Sequence, residues 1–265
     1  MEMLTVTEDP TAALTTYRLM DRYAFTVPRL DPELATIEPV LHFNIALRAA
    51  VAFARDSAVV LADQTLSPFG LAQKLDPLRQ DVIEIFARCS RNIDVFETIV
   101  MDDEARLVLV PPLKAGDVVG ALDDREIRDY WRAADIGERG NMLTRIEEGA
   151  PGADRFALAI LRSPVPLDAL VDAMKLIWAQ AQRNAYPEQA AAIENGKVVI
   201  EWGRRALAHL AGVLPAMPAI ERERIESFVL GSNDPAVHAG ARVFGLDPDH
   251  IARLRLRMTL HKKAA

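Results

Sequence analysis

The sequence has a single cysteine, Cys89, and aromatic residues make up only 6% of its 265 positions. One cysteine cannot form an intramolecular disulfide and cannot supply a multi-cysteine metal site. This usage is typical of a reducing compartment. The acidic N-terminal stretch also lacks the basic region and apolar run of a signal peptide. We therefore expect a cytoplasmic protein.

Long uncharged apolar runs are absent. The most apolar stretch, 40–62, contains Arg48, Arg55 and Asp56, and a charge at the centre of a membrane helix costs about 2.5–3.5 kcal/mol. This stretch therefore predicts a core helix and not a membrane span. The net charge of −7 argues against a general nucleic-acid coat, because such proteins are usually basic.

Catalytic and cofactor motifs are also missing. The sequence contains no HExxH, no GxSxG, no Walker A loop, no GxGxxG and no Glu-x-x-His of a di-iron bundle. Asp247, Asp249 and His250 could ligate a metal, but a capped helix start explains both aspartates. We therefore predict a non-enzymatic protein with no cofactor and no resident metal.

Other reactive side chains have structural explanations. Cys89 falls on an apolar stripe, which predicts a buried and unreactive thiol. His42 and His209 are predicted on helix faces. The acidic run 101–104 predicts a solvated turn, with a bound cation or a basic partner as the alternative.

Apolar residues recur at helical spacing along most of the chain, which predicts an all-α fold. A long helix is predicted from Pro39 to about Gln64. A second is predicted to start at Asp76-Pro77, which combines a capping aspartate with proline at the first helical position, and to end at Met101. The short connection predicts an antiparallel hairpin. A short helix over 12–23 is expected before it.

A bundle of shorter helices is predicted after the hairpin. The one β-like stretch, 108–119, contains Pro111-Pro112 and is interpreted as an extended connector. The predicted domains are 1–102, an irregular arm and the hairpin; 103–121, the connector; and 122–265, a multi-helix domain. The first of the shorter helices is predicted to be capped by Asp123 or Asp124 and to run to 134. The others are predicted over 137–148, 153–161, 166–186, 188–215 with a pause at 195–196, 219–230, 235–244 and 248–260.

The C-terminal helix is basic in an otherwise acidic chain. Its arginines lie around Ile251, Leu254 and Met258, which gives one element both charge and apolar surface. Such a helix can contact an acidic protein surface or nucleic-acid phosphates, although cations are also simply favourable at a helix C-terminus. The predicted partner contacts are Arg253, Arg255, Arg257, Lys262 and Lys263.

One region resembles a known group of proteins. Residues 121–128 read ALDDREIR, followed by Arg139 with Met142-Leu143, then IEEG at 146–149 and AILRSP at 159–164. Over about 121–167 this resembles uncharacterised helical proteins encoded beside bacteriophage and prophage structural genes. In those proteins an EIR helix is followed by a helix ending in EG or GD and then by AIL-x-AP. Here residues 150–152, Ala-Pro-Gly, replace a tighter turn. The resemblance implies a virion-associated or assembly role and assigns no catalytic residue.

These patterns favour a structural or assembly protein, and one candidate is a bacteriophage virion component that is assembled in the cytoplasm. Such a protein is expected to act through self-association or through contacts with other structural proteins. No membrane contact is expected. One alternative is a helical enzyme or small-molecule binder whose site lies between helices. The other is a nucleic-acid contact through the basic C-terminal helix.

Overall fold

The computed structural model describes residues 3–9, 11–165, 167, 170–217 and 220–264, with side chains described as far as Leu256. The chain is mostly α-helical, as the sequence predicts. It also contains a three-stranded antiparallel sheet near its N-terminus. The prediction of a strictly all-α fold is therefore wrong for this segment.

The sheet is a meander of β1 (Leu4–Asp9), β2 (Leu14–Leu19) and β3 (Tyr23–Pro28). It replaces both the irregular arm and the helix predicted over 12–23. Leu19 of β2 pairs with Leu4 on one side and with Tyr23 on the other. Alternate residues of β3 are buried, namely Tyr23, Phe25 and Val27. One face of the sheet therefore belongs to the core.

The helices follow in chain order, joined by short connections. Three short 3₁₀ helices cover Pro32–Leu34, Leu214–Ala216 and Gly240–Phe244. The α-helices are α1 (Glu38–Ala62), α2 (Pro68–Leu107), α3 (Val118–Ala133), α4 (Ile136–Glu147), α5 (Ala153–Leu161), α6 (Leu170–Ala185), α7 (Pro187–Val213), α8 (Arg222–Gly231), α9 (Pro235–Ala239) and α10 (Pro248–Ala264).

Helix α2 is longer at both ends than the sequence predicts. It begins at Pro68, and Pro77 lies inside it. Ser67 supplies the cap, because its Oγ accepts the Gly70 N–H at 3.2 Å. At the other end α2 continues to Leu107, so the acidic run 101–104 is helical and not a turn.

Helices α1 and α2 form an antiparallel hairpin. Close to their connection, Lys74 Nζ lies 3.6 Å from Asp63 Oδ2. Further from the connection, the Cys89 thiol contacts the backbone of Ala46. The residues of α1 that make these contacts have decreasing numbers as the residues of α2 have increasing numbers. The two helices therefore run in opposite directions.

The chain divides into two compact units. Unit 1 comprises Met1–Ile99 and Asn195–Ala265, and unit 2 comprises Val100–Glu194. The boundaries predicted at 102 and 122 stay a prediction, because compactness does not test which segments fold independently.

The core of unit 1 joins the sheet to α1 and α7. The Trp202 indole N–H donates to the Pro28 carbonyl at 2.7 Å. The fully buried Phe43 ring packs edge-on against Trp202, at 5.1 Å between centroids, and against Phe25, at 6.3 Å. Such aromatic contacts stabilise a core beyond the area that they bury. The sheet is thus an integral part of unit 1.

The core of unit 2 surrounds the fully buried Trp131, which packs with Leu143, Ile160 and Met174. Beside this core lies a buried charge, Asp124, which the sequence offered as a helix cap. Asp117 caps α3 instead, through the Gly120 N–H at 2.8 Å. Two arginines compensate the buried carboxylate: Arg155 Nη1 lies 2.7 Å from Asp124 Oδ1, and Arg162 Nη1 lies 3.5 Å from Oδ2.

Candidate functional site

A groove in unit 1 runs between α2, α7 and the 3₁₀ helix Gly240–Phe244. It consists of two adjoining cavities, of about 380 and 240 Å³, which share Ala208 and Val243. Both cavities have apolar lining residues, including Ile93 and Leu207 in the larger and Ile225 and Phe244 in the smaller. We call this feature the arginine groove, because Arg204, Arg222 and Arg242 also line it.

Two glycines allow the elements that line the groove to lie close to the helices behind them. A Cβ at Gly203 of α7 would lie 3.1 Å from Pro39 Cβ of α1 and 3.4 Å from Ile93 Cδ1 of α2. A Cβ at Gly240 would overlap the Ala87 backbone. Larger side chains at these positions would push α7 and the 3₁₀ helix outwards, since interiors are packed to crystal-like density.

An ion-pair network closes one side of the groove. Arg204 of α7 binds Glu97 of α2 with two parallel bonds, Nη1–Oε1 at 2.8 Å and Nη2–Oε2 at 2.6 Å. Its Nη2 also lies 2.5 Å from Asp94 Oδ1. Hydrogen bonding to the Arg204 guanidinium lowers the pKa of Glu97, and the charge of Arg242 contributes to the same shift. The pair therefore stays ionised and fixes α7 against α2.

The other two arginines are held less directly, and Arg242 acts on Glu97 through its charge alone. Arg242 lines the larger cavity and Arg222 the smaller, and both residues are exposed. Within the described part of the chain, neither guanidinium forms a hydrogen bond or an ion pair at contact distance. The groove thus combines two available cations with an apolar floor, an arrangement suited to an acidic ligand that also carries apolar groups.

The predicted partner-contact residues on α10 differ in their surroundings. Arg253 is exposed, with its Nη2 3.9 Å from Asp247 Oδ2. Arg255 is half-buried, with its Nη1 2.8 Å from His238 Nδ1. Burial and then the charge of Arg255 lower the pKa of His238. The side chains of Arg257, Lys262 and Lys263 lie outside the described residues.

Helix α10 is also part of the packing of unit 1. Ile251 is buried, and α10 contacts α8, α9 and the 3₁₀ helix that carries Arg242. The basic helix and the arginine groove therefore share a supporting element.

His42, His209 and Cys89 occupy structural positions. His42 Nε2 lies 3.3 Å from Glu38 Oε1 one turn away, so the two share a helix face. His209 Nδ1 lies 2.7 Å from the Thr26 carbonyl oxygen. Burial raises the pKa of the Cys89 thiol to about 11, which keeps it protonated and a poor nucleophile near neutrality.

Metal-binding geometry is not found among the described residues, where no group of three His, Cys, Asp or Glu side chains is arranged to hold an ion. At 247–250 the aspartates make a local turn, in which Asp247 Oδ1 accepts the Asp249 N–H at 3.1 Å. This agrees with their interpretation as a helix start.

Sequence reasoning does not identify the arginine groove. Arg222 belongs to the alternating run 221–224, which indicates only an exposed helix face. Arg242 and Arg204 lie far apart in sequence and on different elements. Only the tertiary packing brings the three together, so no spacing in the sequence could reveal the site.

Comparisons with known proteins found no match to this chain among protein-family models, curated proteins or solved structures. In the described ranges, none of the helices has the length and hydropathy needed to cross a membrane.

Proposed function

We propose that the protein is a non-enzymatic interaction component of an assembly and that it binds an acidic segment of a partner protein in the arginine groove. The observation that carries this proposal is the presence of Arg222 and Arg242 in one continuous groove, without a contact partner in the described chain. Arg204 is already neutralised by Glu97 and Asp94.

The charge distribution supports an acidic partner. The chain carries a net charge of −7, yet the lining of its groove holds three arginines against two carboxylates, Asp94 and Glu97. Arginine clusters recognise acidic motifs through charge-assisted and often bidentate hydrogen bonds. The apolar floor formed by Leu207, Val243 and Phe244 adds affinity for apolar side chains between the acidic ones.

The biological setting that we propose is a bacteriophage particle or its assembly. Its support is the resemblance of residues 121–167 to helical proteins encoded beside phage structural genes. A second copy of this acidic chain is one candidate source of the bound segment. The genes flanking the coding sequence test the setting directly: a position among head and tail genes supports it, and a position in a metabolic operon contradicts it.

A defined peptide tests the groove. We would measure the fluorescence anisotropy of a labelled peptide that alternates Glu with Leu, and of its counterpart with Gln in place of Glu. Arg222→Gln and Arg242→Gln should each weaken binding of the acidic peptide by about ten- to a hundredfold, since a charge-assisted hydrogen bond contributes about 1.5–3 kcal/mol. Binding should also weaken as salt rises towards physiological levels.

Arg205→Gln is the matched control. Arg205 is an exposed neighbour of Arg204 on α7, pairs with Glu201 and does not line the groove. This variant should bind like the wild type. Equal binding of the acidic and amide peptides, or equal effects of Arg205→Gln and Arg242→Gln, would contradict the proposal. Sedimentation of the unlabelled protein shows whether the partner is a second copy, because Arg242→Gln would then shift the oligomer towards monomer.

A further inference from the structure

Unit 2 contains a separate cleft between α3, α4 and α5, which we call the aromatic cleft. Its volume is about 260 Å³, and its lining includes Tyr130, Met142, Arg145, Ile146 and Phe156. None of these residues belongs to the arginine groove. Anything inferred about this cleft is therefore independent of the proposed function.

One wall of the cleft is aromatic and firmly supported. The rings of Tyr130 and Phe156 meet edge to face, with centroids 6.3 Å apart and an interplanar angle of 88°. Phe156 also contacts the fully buried Trp131, at 6.2 Å between centroids. This backing restricts the Phe156 ring, and a restricted ring loses little conformational entropy when a ligand packs on it.

Small residues keep the cleft open on the side of α5. The chain enters this helix through Gly152, at a φ of +79°, and continues with Ala153. A left-handed φ strongly favours glycine, so a larger side chain at this position would strain the backbone. Neither residue has a side chain long enough to fill the space between Met142 and Phe156.

Two polar groups lie among these apolar walls. Arg145 is in the last turn of α4 and is exposed, and Tyr130 is 58% exposed. In the described part of the chain, neither the Arg145 guanidinium nor the Tyr130 hydroxyl has a hydrogen-bond partner. Arg145 can thus bind an anionic group, and Tyr130 can donate a hydrogen bond to it.

We infer that the aromatic cleft binds a small monocarboxylate built on a single aromatic ring. The ring packs between Tyr130, Met142 and Phe156, where the rings and the thioether offer favourable aromatic contacts. The carboxylate pairs with Arg145, whose planar fork matches its two oxygens. The size agrees: a cavity of about 150 Å³ holds benzene, so about 260 Å³ accommodates a ring with a short acidic arm.

Three probes separate the two parts of this recognition. Phenylacetate carries both the ring and the charge, 2-phenylethanol carries the ring without the charge, and acetate carries the charge without the ring. Calorimetric titration of the full chain should give the tightest binding for phenylacetate. Arg145→Gln should weaken phenylacetate binding about tenfold, the order expected for loss of a charge-assisted hydrogen bond, and should leave 2-phenylethanol binding unchanged.

Arg132→Gln provides the matched control. Arg132 is exposed on α3, pairs with Asp129 and does not line the cleft. It should bind phenylacetate like the wild type. Met142→Trp should block both aromatic probes by placing a larger ring in the cleft, and circular dichroism confirms that this variant folds. Acetate binding as tightly as phenylacetate, or equal losses from Arg132→Gln and Arg145→Gln, would overturn the inference.

Discussion

Gly240 lies against the main chain of Ala87, so closely that a Cβ at position 240 would overlap the Ala87 carbonyl group. Both residues are buried. The contact holds the 3₁₀ helix Gly240–Phe244 on α2 and brings the Phe244 ring over Phe86, with centroids 6.3 Å apart. The position of Arg242 in the arginine groove therefore depends on the absence of a single methyl group.

Gly240→Ala should lower the free energy of unfolding by at least the roughly 1–3 kcal/mol typical of an overpacked core, because the obstructing atoms are backbone and cannot rotate away. Urea denaturation measures the change. Gly212→Ala is the matched control: nothing lies within 4 Å of its added Cβ, and it lies in α7. This change should be neutral or stabilise by up to about 1 kcal/mol. Equal stabilities of the two variants would refute the close approach at Gly240.

Phe86→Ala should destabilise the protein by about 3–5 kcal/mol, because the ring is fully buried and its removal leaves a cavity. Phe69, on the same helix, is 78% exposed. Phe69→Ala should change the free energy of unfolding by less than about 0.5 kcal/mol. The two midpoints in urea give the comparison, and a loss below about 1 kcal/mol for Phe86→Ala would mean that this stripe of α2 does not form the core.

The ion pair between Glu97 and Arg204 should make stability depend on pH. Its hydrogen bonds lower the folded-state pKa of Glu97 below the ordinary value of 4.5. The stabilisation is therefore present above that value and is lost as the pH falls through the folded-state pKa. Because both side chains remain more than a third exposed, solvent screening keeps it below about 1 kcal/mol.

The check on this pair is the difference in unfolding free energy between the wild type and Glu97→Gln. It should be largest near neutral pH and should shrink as the pH falls below 4.5. Glu126→Gln, at an exposed position on α3, should show no such trend. A difference that is constant from neutral to acidic pH would exclude the ion pair as its source.

Cys89 should resist alkylation in the native protein. Burial raises its pKa to about 11, so at pH 8 the thiolate is scarce and inaccessible. Iodoacetamide labelling should be slow in buffer and should accelerate with urea in parallel with the unfolding signal. Rapid labelling of the native protein would show that α2 opens locally around this residue.

The long helices could be predicted from the sequence because their burial follows a helical period. Residues such as Val82, Phe86 and Ile93 recur at that spacing, and all three are buried. The predicted start of α2 is wrong because Asp76-Pro77 and Ser67-Pro68 carry the same signal, a capping residue followed by proline. The preceding turn contains the buried Leu75, so tertiary packing stabilises a proline within the helix.

The sheet was not predicted from the sequence because its turns lack glycine. Met20 and Asp21 connect β2 to β3 with φ values of +51° and +57°, and such backbone is uncommon outside Gly, Asn and Asp. Ala13, between β1 and β2, is similar at +51°. The usable signal was the alternation of Tyr23, Phe25 and Val27, which has the period of a half-buried strand.

The candidate site was less predictable than the fold. Basic residues near the C-terminus indicated a contact surface, but the sequence cannot show that Arg255 faces His238 while Arg253 remains exposed. The arginine groove and the aromatic cleft both depend on side chains brought together from separate elements. Convergence of this kind is a property of packing and leaves no local pattern.

The division of unit 1 between the two ends of the chain has a consequence for biosynthesis. Unit 2 leaves the ribosome as one continuous segment, whereas unit 1 waits for residues 195–265. At about 5–20 residues per second, translation of that last segment takes roughly 4 to 14 s. During this time the nascent chain holds Phe43 and Phe86 without Trp202 and Phe244, against which they pack in the finished protein. The N-terminal part of unit 1, although made first, is therefore completed last, because these aromatic residues lack their packing partners until the C-terminal helices arrive.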